Sequence, residues 1–220
     1  MFIGHYAAAF AARAVKPAVP LWVLFVAVQL VDFAWAAFII TGVEHVRIEP
    51  GLMAASSLDL YHMPWTHSLV AALIWSVAAG AIYMLFKRGG SALMAGVIIA
   101  AAVFSHWLAD LIVHAPDLAV YPGGPKLGFG LWNSLFWSQL VEVGLLLIGF
   151  AIYMAKTQPT SRLSAYTPWA LIVFMLALQA YSHLPMETVP SIQQFAMTGL
   201  VGYSLLCVMA WAVDRKRLAA

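Results

Sequence analysis

Polar residues are confined to short segments between long apolar runs, and that spacing predicts the architecture. Residues 21–40, 65–86, 91–114, 131–155, 167–184 and 192–213 are apolar runs of the length, roughly 20 residues, that crosses a hydrocarbon core as a helix. Residues 2–15 read as a further helix, too short to span, which Pro17 and Pro20 terminate. Between the runs lie a polar loop at 41–61, the turn Lys87-Arg88-Gly89-Gly90, a loop at 115–130 containing Pro122-Gly123-Gly124-Pro125-Lys126, and a polar stretch at 156–164. No repeat of fixed period is present. Lipid satisfies no backbone N–H or C=O, so only helices or closed barrels cross it. The expected fold is therefore an all-α polytopic membrane bundle of about six transmembrane helices plus a short N-terminal helix, one domain over residues 1–220.

Composition sharpens this. The chain is 64% hydrophobic and 9% charged, where a soluble domain carries about 25% charged residues. No basic patch supports nucleic-acid binding. The single cysteine, Cys207, lies in an apolar run, so neither an intramolecular disulfide nor a cysteine-rich metal site is available. Residues 1–10 hold no Lys or Arg, and Arg13 and Lys16 follow the apolar part. That is unlike a cleaved signal, so His5 is expected to remain in the mature protein. Arg13 and Lys16, Lys87 and Arg88, Lys156 and Arg162, and Arg215 to Arg217 fall on one side of a six-span chain. The positive-inside rule puts them in the cytoplasm and turns the loops carrying Glu44, His62, Asp117 and Glu187 outward.

Within the third run, His106, Asp110 and His114 are spaced by four and form one polar stripe on an apolar helix. Depth brings other runs to the same level. At 1.5 Å per residue, Asp32 lies about 18 Å, His106 about 22 Å and His183 about 24 Å above the basic ends of their helices. His67 sits near the outer end of the second run, and Glu142 is about 16 Å below the outer end of the fourth. A short helix anchored by Arg13 and Lys16 would carry His5 about 12 Å deeper, near Asp32. An intramembrane aspartate costs about 2.5–3.5 kcal/mol to insert, so Asp32 needs a partner: a structural hydrogen bond, a histidine, or a metal shared with His67 and His106. His106 and His114 are about 12 Å apart along the axis, too far for one ion. Two metals with Asp110 between them reconcile the stripe, and paired metals suit phosphoester hydrolysis. Thr66 and Ser68 are placed to orient His67. His62 and His67 also read as two interfacial histidines, and Glu142 as ligand, proton relay or structural group. His183 and Glu187 are four apart, but Pro185 between them breaks helical register. The glycine-rich segment 123–130 with Lys126 would lie over the mouth, offering N–H groups to an anionic headgroup or simply connecting two helices.

Gly4-His5-Tyr6, Pro64-Trp65-Thr66-His67-Ser68 and Ser105-His106-Trp107-Leu108-Ala109-Asp110 resemble motifs of bacterial inner-membrane proteins described as metal-dependent hydrolases. That family is distantly similar to the zinc-dependent phospholipase C and single-strand nuclease superfamily. The resemblance implies zinc, one to three ions or another divalent metal, with His106 and Asp110 as an H-x3-D pair completed by Asp32 and His67. It further implies His5 as the early histidine and His183 with Glu187 as the late H-x3-E pair. One departure is that the soluble relatives ligate through an amino-terminal tryptophan, whereas this chain starts Met-Phe.

The expected function is a membrane-embedded metal-dependent hydrolase of a phosphoester or lipid-linked substrate at the outer half of the membrane. Its metal ligands are His5, Asp32, His67, His106, Asp110, His114, His183 and Glu187, and Glu142 or His62 serves as base. Expected partners are membrane lipid and the substrate; the sequence sets no oligomeric state. The alternatives are a metal-ion or proton transporter, since intramembrane His and Asp also mark ion pathways, and a non-catalytic membrane subunit.

Overall fold

The computed structural model describes residues 1–16, 18–87, 92–185 and 188–220. A 3-10 turn, Ile3–His5, leads into α1 (Tyr6–Val15), followed by α2 (Leu21–Thr41), strands β1 (His45–Ile48) and β2 (Leu58–His62), α3 (Leu69–Phe86) and α4 (Ala92–Val113). Then come β3 (Leu118–Ala119), β4 (Lys126–Leu127), a second 3-10 turn Leu131–Asn133, α5 (Leu135–Ala155), β5 (Thr157–Pro159), α6 (Arg162–Tyr181), α7 (Ile192–Asp214) and β6 (Arg217–Ala219). Helices α2 to α7 are long and apolar enough to cross a membrane. Leu73, Ile74, Val77, Leu85 and Phe86 of α3, Ile148 of α5 and Val201 of α7 stand exposed, as residues that meet lipid do. The protein is an all-α helical bundle and an integral membrane protein.

Helix boundaries follow local capping more closely than hydropathy. The second span begins at Leu69, not at 65, because Ser68 caps it by accepting from the Ala71 N–H, leaving Pro64 to His67 free as turn. Ser134 likewise starts α5 at Leu135. Helix α6 starts five residues ahead of expectation, at Arg162, because Ser161 and Ser164 form a reciprocal capping box. Pro168 then falls inside the helix, leaving the Ser164 carbonyl without its helical donor. Arg217 fills that gap with Nη1 at 3.2 Å, while its Nε and Nη2 donate to Thr157 at 2.9 and 2.8 Å. The loops read as irregular contain three short antiparallel pairings, β1 with β2, β3 with β4 and β5 with β6. Lys126, on β4, donates to the Tyr61 carbonyl at 3.1 Å and so ties two of these loops together.

Helix α1 lies inside the bundle rather than beside it, packed on α2, α4 and α5. Its Tyr6 and Phe10 are fully buried, with Phe10 edge-on to Phe25 and Phe150. Gly149 of α5 makes this possible: a Cβ there would come 2.5 Å from the Ala7 carbonyl oxygen. Gly80 and Gly96 allow the same close approach between α3 and α4. At its far end α1 is held by Arg13, whose Nε donates to both carboxylate oxygens of Asp214 at 2.9 and 2.8 Å. Asp214 also accepts from the Leu21 N–H and the Tyr153 hydroxyl. One carboxylate thus joins α1, α2, α5 and α7.

Candidate metal centre

Six of the predicted ligand residues arrive at one buried point. Helix α4 supplies His106 and Asp110 one turn apart, and His114 follows at its end. Asp32 comes from α2, His67 from the turn before α3, and His5 from the end of the N-terminal 3-10 turn. Asp110 is the hub, and its two oxygens face different partners. Oδ2 lies 3.1 Å from His106 Nε2 and 3.7 Å from His67 Nε2. Oδ1 lies 3.2 Å from His5 Nε2, 3.5 Å from His114 Nε2 and 2.6 Å from the α-amino group of Met1. Across from Oδ2, Asp32 Oδ1 stands 3.3 Å from His67 Nε2 and 3.5 Å from His106 Nε2.

Three histidines are held by their other ring nitrogen. His106 Nδ1 is 2.7 Å from the Val28 carbonyl, which only accepts, so Nδ1 carries a hydrogen and, in the neutral ring, Nε2 has the lone pair. His114 Nδ1 is 2.8 Å from Asp117 Oδ1. Burial works against a charge on His114, yet the carboxylates of Asp110 and Asp117 outweigh it and hold its pKa above the usual histidine value. His67 Nδ1 is 2.8 Å from the Thr66 hydroxyl, and Trp107 Nε1 donates to the His67 carbonyl. His5 stacks on His106 with ring centroids 3.8 Å apart. Among the described residues, both ring nitrogens of His5 and Nε2 of His106 are buried with no hydrogen-bond partner. The carboxylate contacts around them are close but not directed as hydrogen bonds.

Trp35 lies edge-on to His67, Trp132 packs on His114 at 4.2 Å between ring centroids, and Trp107 bonds the His67 carbonyl; all three are nearly inaccessible. The side chain of Asp32, 13% exposed, is more open than those of His5, His67, His106, Asp110 and His114, at 0–4%. Two nitrogen and two carboxylate ligands suit zinc and other borderline divalent metals.

Other expected residues stand elsewhere. His62 is exposed on β2, register-paired with His45 and stacked on it at 5.4 Å, so it is not brought to the cluster. His183 is bonded to Gln139 and the Gln179 carbonyl beyond the end of α6, likewise away from it. Glu187 lies outside the described residues. Glu142 is buried beside the site, but its Oε2 accepts the Phe2 N–H at 2.9 Å, which makes it an anchor of the N-terminal segment. Sequence reasoning overlooked Met1, Gln29, Glu44 and Asp117. Gln29, one turn before Asp32 and 2.6 Å from its Oδ2, and Asp117, three residues past His114, were within reach of helical spacing. Met1 and Glu44 carried no such signal.

Fold and site together define the class: a polytopic membrane bundle built around a buried histidine–aspartate cluster. No family model, curated protein or solved structure matches the chain.

Proposed function

We propose that the protein is a membrane-embedded, metal-dependent hydrolase of the bacterial inner membrane, with its basic loops and the basic residues Arg13, Lys16 and Arg215 to Arg217 in the cytoplasm and a phosphoester or lipid-linked phosphate as substrate. The observation that carries the metal is the four-atom cage of His67 Nε2, His106 Nε2, Asp32 Oδ1 and Asp110 Oδ2. Its four nitrogen-to-oxygen edges run from 3.1 to 3.7 Å. Within it, the ligand atoms of His67, His106 and Asp110 lie within 4.8 Å of one another, as do those of His5, Asp32 and His106 in an overlapping group. The orphaned nitrogen of His106, a lone pair among carboxylates, is the residue-level sign that a cation belongs between them.

His5, His114 and Asp110 Oδ1 form a second face, where the Met1 α-amino group sits 2.6 Å from Oδ1, so a second ion shared through Asp110 would displace that ammonium. When bound, zinc would polarise a phosphoryl oxygen and lower the pKa of a water toward about 7. The chain's own contribution is orientation and exclusion of water: Val28, Thr66 and Asp117 fix the three rings, and the tryptophans shut out bulk solvent. Asp32 marks the side on which substrate has access. The hydrolase class itself rests on the resemblance of the Gly4-His5-Tyr6, Pro64 to Ser68 and Ser105 to Asp110 motifs.

Metal analysis of the purified, detergent-solubilised protein tests this reading. Bound zinc at one to two equivalents, lost in Asp110→Ala and His106→Ala, is expected. A metal-free wild type grown with zinc would refute the site. Metal retained without turnover on lipid phosphoesters would move the reading to transport.

A further inference from the structure

Glu44 lies in the outer loop between α2 and β1, yet it is almost fully buried and three donors converge on it. The backbone N–H groups of Trp65 and Thr66 donate to Oε1 at 2.7 and 3.0 Å, and the Thr66 hydroxyl donates to Oε2 at 2.6 Å. The same hydroxyl is 2.8 Å from His67 Nδ1. Thr66 and His67 are buried as well, so water does not compete.

We propose that Glu44, acting through Thr66, is the positioning residue that fixes the tautomer of His67 and aims its Nε2 lone pair at the cage. The inference rests on the metal reading for its consequence, not for its geometry. A hydroxyl has one hydrogen, and a carboxylate is an acceptor only. Thr66 therefore spends its hydrogen on Glu44 and must accept from His67. That puts a ring hydrogen on Nδ1 and, in the neutral ring that binds a metal, leaves Nε2 free, 3.3 Å from Asp32 and 3.7 Å from Asp110. The hydrogen bond at one ring nitrogen decides what the other can bind.

Directionality makes the proposal sharp. In Glu44→Gln the side-chain amide facing Thr66 donates to the hydroxyl, while the amide oxygen still accepts the two backbone N–H groups. The Thr66 hydrogen is then released toward His67 Nδ1, and the ring hydrogen moves to Nε2, where it blocks a metal. Thr66→Val deletes the hydroxyl and leaves both backbone anchors of Glu44 in place, whereas Thr66→Ser keeps the relay.

The test combines metal affinity, by chelator competition with zinc, and nitrogen-15 spectra of histidine-labelled, metal-free protein with His67 assigned by difference against His67→Ala. Expected are an Nδ1–H pattern in the wild type and Thr66→Ser, and an Nε2–H pattern in Glu44→Gln. Zinc binding should weaken about 10- to 100-fold in Thr66→Val and at least as much in Glu44→Gln, with Thr66→Ser restoring it. Wild-type affinity in both weakened variants, or an unchanged Nδ1–H pattern in Glu44→Gln, would overturn the relay. If the wild type binds no zinc, the metal reading fails, and the metal-free spectra still decide the relay.

Discussion

Two glycines five residues apart on α5 meet opposite surroundings, and substituting each with alanine separates packing from helix propensity. A Cβ at Gly144 meets nothing within 4 Å, while one at Gly149 falls 2.5 Å from the Ala7 carbonyl oxygen. Ordinary contact begins at 3.4 Å, so Gly149→Ala must push α1 and α5 apart by about 0.9 Å. The neighbour is backbone of a helix wedged among three others, and it cannot rotate aside. Gly→Ala within a helix contributes about 1 kcal/mol of stability, and overpacking a filled interior costs about 1–3 kcal/mol. Gly144→Ala should therefore stabilise by about 1 kcal/mol. Gly149→Ala should lie about 1–3 kcal/mol below it, a separation of roughly 2–12 °C in Tm for a chain of this size. His5 is two residues before Ala7 on the same segment, and a functional group tolerates displacement of only about 0.5 Å. Gly149→Ala should thus also weaken any metal held by His5, which Gly144→Ala should not. Thermal unfolding in one detergent, followed by circular dichroism with zinc competition alongside, measures both. Equal Tm for the two variants with unchanged zinc binding would show that α1 is not wedged against α5 as described.

Two further outcomes follow from the same geometry. Asp214→Asn leaves Arg13 as a buried, under-compensated charge and should cost about 3–5 kcal/mol, read as a fall in Tm; a fall within error would mean the pair is solvated. His62→Ala should leave zinc content and any phosphoester turnover at wild-type level, since His62 stacks on His45 in an exposed hairpin; loss of either would return it to the site.

Much of the centre was legible because helical register is local. His106, Asp110 and His114 needed only their spacing to be seen as one stripe, and the depth of Asp32 and His67 followed from counting along apolar runs. Counting also placed His5, because Arg13 marks the end of its helix. The expected place of Asp110 between His106 and His114 is also what the structure has, because the carboxylate spans the interval by turning one oxygen to each side. His183 matched in depth and still lies elsewhere, because α6 ends at Tyr181 and the turn after it holds the ring on Gln139 and the Gln179 carbonyl. The short strands between the helices were hidden by their length, and Glu44 by its 22-residue separation from Thr66. The start of α6 was missed because capping by Ser161 outweighs the lower hydropathy of residues 162–166.

The Arg13–Asp214 pair joins residues 201 apart in sequence, the first helix to the last. At about 5–20 residues per second of synthesis, Arg13 waits on the order of 10–40 s for its counter-charge. For most of that interval α1 lacks the α5 surface that receives it, and for all of it the carboxylate that neutralises Arg13. Only once α7 is made is the segment that leads from His5 anchored at its far end, and the ion pair thereby ties that anchor to the last helix rather than to a neighbour in sequence.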